Sequence, residues 1–549
     1  MPESAAPLAV LDRQAPILWQ PKVAGVLAAA IAYSLREAGF LTGFLAVAVA
    51  VLCVVCVPGP RRVAERLLLV FALALGWLPL LGWLPGLGNA IDVPGMILAV
   101  GVGVACWHQL RPNRTSPRIV SLPTLPEWLA LGAWLFVTTW WWLPLHRFSR
   151  TGLLSALFIG WDNNTHFSMF RSNLILGSFI QVRPTLPGGL TRLGADYPQG
   201  VHQAWAQFTR LLHPHPSTDL AWLLHAYVDV LVLTAAGIVL VGCLAVCRLA
   251  RRDLLAALPA MALVVALFGL GRFGPFNGFP NFELAVMASA VAISLVIRPS
   301  MRPLVNFVAV AGMGLIVVYN WYPLFVLIAP AASVTALRAR RATDRHRVAV
   351  TAFLVVTGIA YVLPAVSFLH RGITWLNVAG AGVKPSWGLL IAGAATLVAV
   401  AVVRQALRPD LATNLSVGAP GILGGGAVLA VCLYEVASTG AISYYGFKLA
   451  TGVLGVCVTV LACVYAADVS TARSNTRLRA PIVVTAAVLV ALALPQVDTW
   501  DAQGLTIHQY IANAQSGKIY SRPLLLAAMR SRAISIATSG QPCEGRGPT

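Results

Sequence analysis

The chain has 549 residues, of which 58% are hydrophobic and only 11% are charged, and its mean hydropathy is +0.77. This composition indicates a polytopic membrane protein rather than a soluble one. A net charge of +20 would suggest a nucleic-acid partner in a soluble chain, but here the arginines fall mostly in alternate loops, which is how membrane topology is encoded. We therefore expect a membrane lipid environment and no nucleic acid.

Apolar runs long enough to cross a bilayer recur along the whole chain. They predict an all-α fold with about 13–15 transmembrane helices, because the first run is short and only Tyr319–Pro323 separates two of the others. The runs lie near residues 23–35, 40–57, 67–87, 94–110, 125–145, 219–247, 254–271, 280–297, 303–319, 321–337, 348–369, 386–403, 417–438, 446–467 and 480–494.

Arginine clusters fall in every second loop between these runs. They lie near residues 61–66, 111–118, 248–252, 298–302, 338–347, 404–408 and 473–479. Positive residues concentrate in cytoplasmic loops, so this alternation predicts that the long polar segment 147–218 is external. We expect three parts: N-terminal membrane helices over residues 1–120, a transmembrane core over 121–494, and an external tail over 495–549.

The segment 147–218 is the only long polar interruption of the chain, and loops of this length are commonly functional. Its stretch 159–202 holds two carboxylates, Asp162 and Asp196, among arginines, histidines, amides and aromatic residues. An apolar stripe over 167–180 predicts an amphipathic helix lying in the membrane interface. A second surface helix is expected over 201–212.

Three short motifs in and beyond this segment are typical of one family. WDNNTHF at Trp161–Phe167, YPQGVH at Tyr197–His202 and SYYGFK at Ser443–Lys448 resemble the C-type (GT-C) glycosyltransferase superfamily, in particular actinobacterial envelope enzymes that use polyprenyl-phosphate sugars. The resemblance implies that Asp162 is a catalytic base and that Lys448 contacts a lipid phosphate. Asp162 follows about the fifth membrane helix rather than the first, so residues 1–120 would be an N-terminal addition to that family's core.

The chemistry of such a transfer needs the same residue types. A carboxylate can take the proton of the attacking acceptor hydroxyl, and cations can stabilise the leaving phosphate. Candidates for binding the lipid phosphate are Arg371, Lys384, Tyr444, Tyr445 and Lys448. Candidates for binding the sugar or acceptor are side chains predicted on the same side of the membrane: Trp161, Asn163, Asn164, His166, Arg171, Asp196, Tyr197, Gln199, His202, Asn320, Trp321 and Tyr322.

Each main candidate also has a structural interpretation. Asp162 could cap a helix or pair with an arginine, Asp196 could be a turn residue, and Lys448 could extend its ammonium to the membrane surface. His166 and His202 could hold a divalent cation with Asp162, but their spacing is not typical of a metal site. We expect no cofactor, with a divalent cation as the open alternative.

Ionisable residues inside the apolar runs favour a competing class. His225, Asp229, Glu283 and Glu435 are costly to bury and are expected to face an internal cavity, as in a transporter or flippase. A polymerase of lipid-linked glycans is a third possibility. Our main expectation is a plasma-membrane enzyme, with its site on the outer face, that moves an arabinose- or mannose-type sugar from a polyprenyl-phosphate donor to an envelope glycan or glycolipid.

Overall fold

The computed structural model describes residues 20–85, 91–111, 120–147, 153, 163–183, 186, 195, 197–270, 279–342, 347–369 and 386–472. Within these ranges every regular element is helical and no strand occurs, so the expected all-α class is confirmed. The α-helices are α1 Pro21–Glu37, α2 Gly43–Cys56, α3 Val63–Ala72, α4 Val93–Gln109, α5 Leu125–Arg147, α6 Asn163–Leu176, α7 Gly200–Leu212, α8 Leu220–Ala250, α9 Leu254–Val264, α10 Pro280–Ile297, α11 Pro303–Trp321, α12 Phe325–Arg341, α13 Arg347–Leu369, α14 Trp387–Leu407, α15 Leu411–Ala419, α16 Gly425–Thr439 and α17 Tyr444–Ala472.

Nine helical segments among the described residues are long and apolar enough to cross a membrane. The longest of them, Pro303–Arg341, has 39 residues, about 58 Å of helix, which is roughly twice the thickness of a bilayer core. It is broken at Trp321, where the backbone leaves the helical region, and Phe307 near one end packs with Ala339 near the other. It is therefore the antiparallel pair α11 and α12, as the two predicted runs 303–319 and 321–337 require. The predicted total extends to the run 480–494, which lies outside the described residues.

The apolar helices α15 and α16 are joined without a break by a change of winding. After α15 the chain continues through a π-helical turn, Pro420–Gly424, directly into α16. Proline at Pro420 has no N–H to donate to the preceding turn, which is a common physical cause of such irregularities. Residues 411–439 therefore form one long segment whose middle is widened at Pro420.

The described chain separates into two compact units. The first contains the described parts of Met1–Arg61, Asp92–Val120 and Leu211–Pro214. In it α1 packs on α4 so closely at Gly25 that an added Cβ would lie 2.8 Å from the carbonyl oxygen of Gly103. Arg36 is buried and donates to the Asp92 carboxylate at 2.6 Å. This unit is thus held by small-residue contact and a buried ion pair.

The second unit contains the described parts of Arg62–Ile91, Ser121–Arg210 and His215–Thr549. Residues 62–91 pack in this unit, although the sequence placed them with the N-terminal helices. Its centre is α10, whose residues Pro280–Ile297 are all buried. Helices α8, α11 and α17 pack around α10. At Gly76 the backbone touches α11, since an added Cβ would overlap the carbonyl oxygen of Gly312.

Arginines from separate predicted clusters meet at one end of the second unit. Arg298 donates to the Leu249 carbonyl at 3.0 Å and to Ser470 at 3.1 Å, which joins the ends of α8, α10 and α17. Arg404 pairs with Asp468, which joins α14 to the same end of α17. Arginines from alternate loops therefore lie at the same end of this helix bundle. The cytoplasmic location of the arginine end stays a prediction.

Candidate functional site

The two helices expected in the long polar segment are present as α6 and α7. Helix α6 has no face turned wholly to a membrane surface, because its side chains Phe167, Met169, Phe170 and Asn173 are all buried. Its polar side chains meet polar partners inside the protein, which differs from the expected placement on a membrane interface. Helix α6 is therefore an enclosed element that can hold side chains rigidly.

The centre of the segment is a pair of buried histidines. The Nδ1 atom of His166 on α6 lies 2.8 Å from Nε2 of His202 on α7, and the two rings stack at 5.0 Å. One proton lies between these nitrogens, so one ring donates and the other accepts. Burial lowers the pKa of His202 to about 3, because a charged imidazole would lose its hydration there. His202 is therefore neutral near pH 7.

The geometry of this histidine pair bears on the metal alternative. Nδ1 of His166 and Nε2 of His202 are hydrogen-bonded to each other. A cation bound to both of these nitrogens would have to replace that hydrogen bond. Among the described residues there is no group of three or more His, Cys, Asp or Glu side chains that could hold a metal ion. Asp162, the third ligand in that alternative, lies outside the described residues.

Asn281, in the first turn of α10, connects the long segment to the membrane helices. Its amide nitrogen donates to the Tyr197 hydroxyl at 3.0 Å and to the Asn320 carbonyl at 2.9 Å. The Asn320 side chain in turn accepts from the Val201 backbone at the start of α7, at 2.9 Å. Tyr197 lies beside His166, with ring centroids 6.1 Å apart. The predicted residues His166, Tyr197, His202 and Asn320 are thus brought together through an amide that the sequence had not singled out.

Lys448 lies in the first turns of α17, among aromatic rings. Its ammonium donates to the Tyr444 hydroxyl at 2.7 Å and lies 3.8 Å from the centroid of Phe279 and 5.3 Å from that of Phe282. Only 6% of Lys448 is exposed, so the side chain is packed rather than extended to a surface.

A continuous series of contacts joins the two predicted groups. The Trp321 ring meets Phe282 edge-on at 4.8 Å, and Phe282 lies under Lys448. Phe282 follows Asn281 directly on α10. The first turn of α10 therefore contacts Tyr197 through Asn281 and Lys448 through Phe282. Tyr445 packs against Tyr444 at 4.9 Å. The sugar-binding and phosphate-binding candidates in the described residues therefore belong mostly to one cluster, which we call the α10 cluster. Its members are His166, Tyr197, His202, Asn281, Phe279, Phe282, Asn320, Trp321, Tyr444, Tyr445 and Lys448.

Other predicted site residues have different surroundings. Asn163 accepts a hydrogen bond from Tyr227 at 3.1 Å, and Gln199 accepts one from the Ile180 backbone at 3.0 Å, so both hold local structure. Burial lowers the pKa of Arg171 on α6. Tyr322 stacks on Phe325 in a separate apolar cluster.

Several predictions fall where the structure gives no description. Asn164 lies on α6, but its side chain is outside the described set. The candidates Trp161, Asp162, Asp196, Arg371 and Lys384 also lie outside the described residues. Asp162 directly precedes Asn163, the first residue of α6, so the predicted base is adjacent in sequence to the helix that carries His166.

The ionisable residues inside the apolar runs have different surroundings. Glu435 accepts hydrogen bonds from the Ser443 backbone and hydroxyl, each at 2.8 Å, and from the Gly446 backbone at 3.0 Å. It therefore satisfies N–H groups at the start of α17 that have no partner within the helix. Asp229 accepts from Trp142 at 3.1 Å and lies 2.8 Å from His146, while His225 is exposed. The expectation that all these groups face an internal cavity stays a prediction.

Asn281, Phe279 and Phe282 are the site residues that sequence reasoning missed. Their signal was available, since Phe279–Glu283 reads FPNFE and places an amide and an acid at the start of an apolar run. Glu283 is buried. No family model, curated protein or solved structure matches this chain.

Proposed function

We propose that this chain is a membrane glycosyltransferase. It moves an arabinose- or mannose-type sugar from a polyprenyl-phosphate donor to an envelope glycan or glycolipid at the outer face of the plasma membrane. The observation that carries the proposal is the α10 cluster, in which a buried cation lies in one contact series with amides, histidines and aromatic rings from the long polar segment. A lipid phosphate needs the cation, and a sugar needs the amides and rings.

The proposed reaction assigns a role to each part. The acceptor hydroxyl oxygen attacks the anomeric carbon as the bond from that carbon to the phosphate oxygen breaks. Asp162 takes the hydroxyl proton, and the polyprenyl phosphate leaves with the bonding electrons. Lys448 stabilises the negative charge that grows on the phosphate, more strongly than in water because its site is buried. We assign the orientation of the sugar to Asn320, Trp321 and Tyr197.

The competing transporter class has less support than the sequence suggested. Glu435 is occupied as a helix cap and Asp229 is hydrogen-bonded to Trp142, so both have structural roles. Of the other two ionisable residues that favoured transport, His225 is exposed and Glu283 is buried.

Asp162→Asn tests the proposed base. Asparagine keeps the shape of aspartate and can still cap a helix, but it cannot accept a proton near neutral pH. We expect transfer from a polyprenyl-phosphate sugar to fall about 100-fold or more, with expression and donor binding unchanged. The measurement is radiolabelled sugar release from the lipid donor by the purified protein in nanodiscs.

The matched control is Asp219→Asn. Asp219 caps α8 by accepting from the Trp222 backbone at 3.0 Å, a role that asparagine fills equally well. We expect this variant to retain full transfer. Near-normal transfer by Asp162→Asn would remove Asp162 as the base, and absence of any sugar release by the unaltered protein across lipid donors would refute the proposed class.

A further inference from the structure

Three guanidinium groups converge on the end of α17, at the arginine end of the second unit. Arg404 in the last turn of α14 and Arg408 directly after that helix both pair with Asp468 on α17, and the Arg408 distance is 3.4 Å. Arg298, which follows the last residue of α10, donates to Ser470 on α17 at 3.1 Å. Positive side chains from two other helices therefore meet around a single carboxylate of α17.

A second aspartate in this region is held by a different arginine. Asp410, two residues after Arg408, accepts from the Thr413 hydroxyl at 2.7 Å and from Arg338 at 3.3 Å. In this part of the described chain four arginines therefore meet two aspartates, which leaves an excess of two positive charges.

The positive charges at this end act on one another. Burial lowers the pKa of Arg298, and the charges of Arg251, Arg408 and Arg404 lower it further, against the opposing charge of Asp468. An opposite charge close to a cation favours its charged form. An anion bound among these arginines would therefore relieve their repulsion.

Arg404 and Arg408 also have N–H donors that can serve an anion. Arg404 is only 7% exposed, and its Nε atom is buried with no hydrogen-bond partner among the described residues. A buried donor without an acceptor is costly, and an unseen water or ion is a common explanation for one. Arg298 differs, because it donates to the Leu249 carbonyl at a helix end, a common structural role for a cation. The Arg408 side chain is 38% exposed, so an anion can reach it from outside the bundle.

Apolar side chains are exposed beside Arg408. Val403 and Leu407 on α14 are each 39% exposed, and Leu411 at the start of α15 is 60% exposed. Helix α14 is long and apolar enough to cross a membrane, so an exposed apolar surface on it suits lipid hydrocarbon. Arg408 lies directly after this helix, at the level where hydrocarbon gives way to lipid headgroups.

We infer that Arg404, Arg408 and Arg298 bind a phosphate group at the arginine end. A guanidinium group offers parallel N–H donors that match two phosphate oxygens. The phosphate could come from an anionic phospholipid headgroup or from a soluble phosphate, and the exposed leucines beside Arg408 favour the phospholipid. Helix α10 has 18 residues, so this site lies about 27 Å from the α10 cluster and does not depend on the proposed reaction.

The test is thermal unfolding of the purified full chain in a neutral detergent, titrated separately with phosphatidylglycerol, phosphatidylcholine and inorganic phosphate. A ligand that binds only the folded protein raises the unfolding midpoint. We expect phosphatidylglycerol to raise the midpoint at a concentration at least about tenfold lower than phosphatidylcholine does, because the two lipids share their chains and differ in headgroup charge. An equal effect of the two lipids would show that their chains alone bind, and would overturn the inference.

Arg408→Gln removes a charged donor from the site. We expect it to weaken phosphatidylglycerol binding at least about tenfold, from the usual strength of hydrogen bonds to charged groups. The matched control is Arg340→Gln, which removes the same charge from an exposed position on α12 at the same end of the bundle. We expect it to bind as the wild type does. Equal weakening by the two variants would indicate general attraction to a basic surface and would overturn the inference.

Asp468→Asn tests the site in the opposite direction. It removes the carboxylate that competes with the phosphate, so we expect phosphatidylglycerol to bind at least about threefold more tightly. A damaged fold would not bind more tightly, so this gain separates binding from folding, and weaker binding by a folded Asp468→Asn protein would contradict the inference. An equal midpoint rise with inorganic phosphate, lost in Arg408→Gln, would uphold the site with a soluble phosphate as its ligand. If neither phosphatidylglycerol nor inorganic phosphate gives a rise that depends on Arg408, these arginines only hold helix ends together.

Discussion

Asn281→Leu is the substitution that best tests the α10 cluster. The Asn281 side chain is fully buried and its amide nitrogen makes two hydrogen bonds, to the Tyr197 hydroxyl and to the Asn320 carbonyl. The Asn320 carbonyl is in the last turn of α11 and has no partner within that helix. Leucine of similar size would leave it buried without a donor, at a cost of about 1–3 kcal/mol. The lost bond to Tyr197 adds about 1 kcal/mol.

We therefore expect Asn281→Leu to lower the free energy of unfolding by about 2–4 kcal/mol. The assay is equilibrium unfolding in mixed micelles, followed by tryptophan fluorescence. Since Tyr197 also loses its anchor beside His166, we expect kcat/KM for sugar transfer to fall at least about tenfold at a temperature where the variant is folded.

Asn306→Leu is the matched control for this substitution. Asn306 is a buried asparagine on α11, but the hydrogen bond that its amide donates to the Leu295 carbonyl is long, at 3.4 Å. We expect a loss of less than about 1 kcal/mol and unchanged transfer. If Asn281→Leu and Asn306→Leu lose equal stability and retain equal activity, Asn281 does not join the two halves of the site.

Three other predictions concern charge and topology. Folding lowers the pKa of His202 from its ordinary 6.5 to about 3, so the folded state binds fewer protons, and stability is full above pH 6.5 and is lost as pH falls toward 3. We expect the free energy of unfolding to be about 2 kcal/mol lower at pH 5 than at neutral pH, a loss that His202→Gln removes and the exposed His225→Gln does not. Glu435→Gln replaces a carboxylate oxygen that accepts N–H bonds at the start of α17, and we expect it to lower the free energy of unfolding by about 1.5–3 kcal/mol. We expect Glu435→Asp to lose stability as well, because its side chain is shorter. In whole cells an impermeant thiol reagent should label a cysteine placed at the exposed Ser217 and not one at the exposed Ala342, and the opposite result would reverse the proposed orientation.

The sequence by itself determined the class of fold and much of its organisation. Apolar runs about as long as a bilayer is thick specify helices, because a backbone in hydrocarbon must satisfy its own hydrogen bonds. The presence of α6, the position of α7 and the break at Trp321 follow from local pattern, whereas α6 begins at Asn163, four residues before the predicted start at Phe167. The alternate arginine clusters correctly predicted which helix ends lie together, as the contacts of Arg298 show.

Only the tertiary structure decided which polar side chains form a site and which hold the fold. Glu435 and Lys448 read alike in sequence, as ionisable residues in apolar runs, yet one caps a helix and the other lies among the rings of Phe279 and Phe282. Asn281 reads as an ordinary amide at the start of a run, and its role comes from Tyr197 and Asn320, which lie 84 and 39 residues away along the chain. Periodicity reports the local environment of a residue, whereas these partners are set by how helices pack across the bundle, and packing depends on contacts between residues that are distant in sequence.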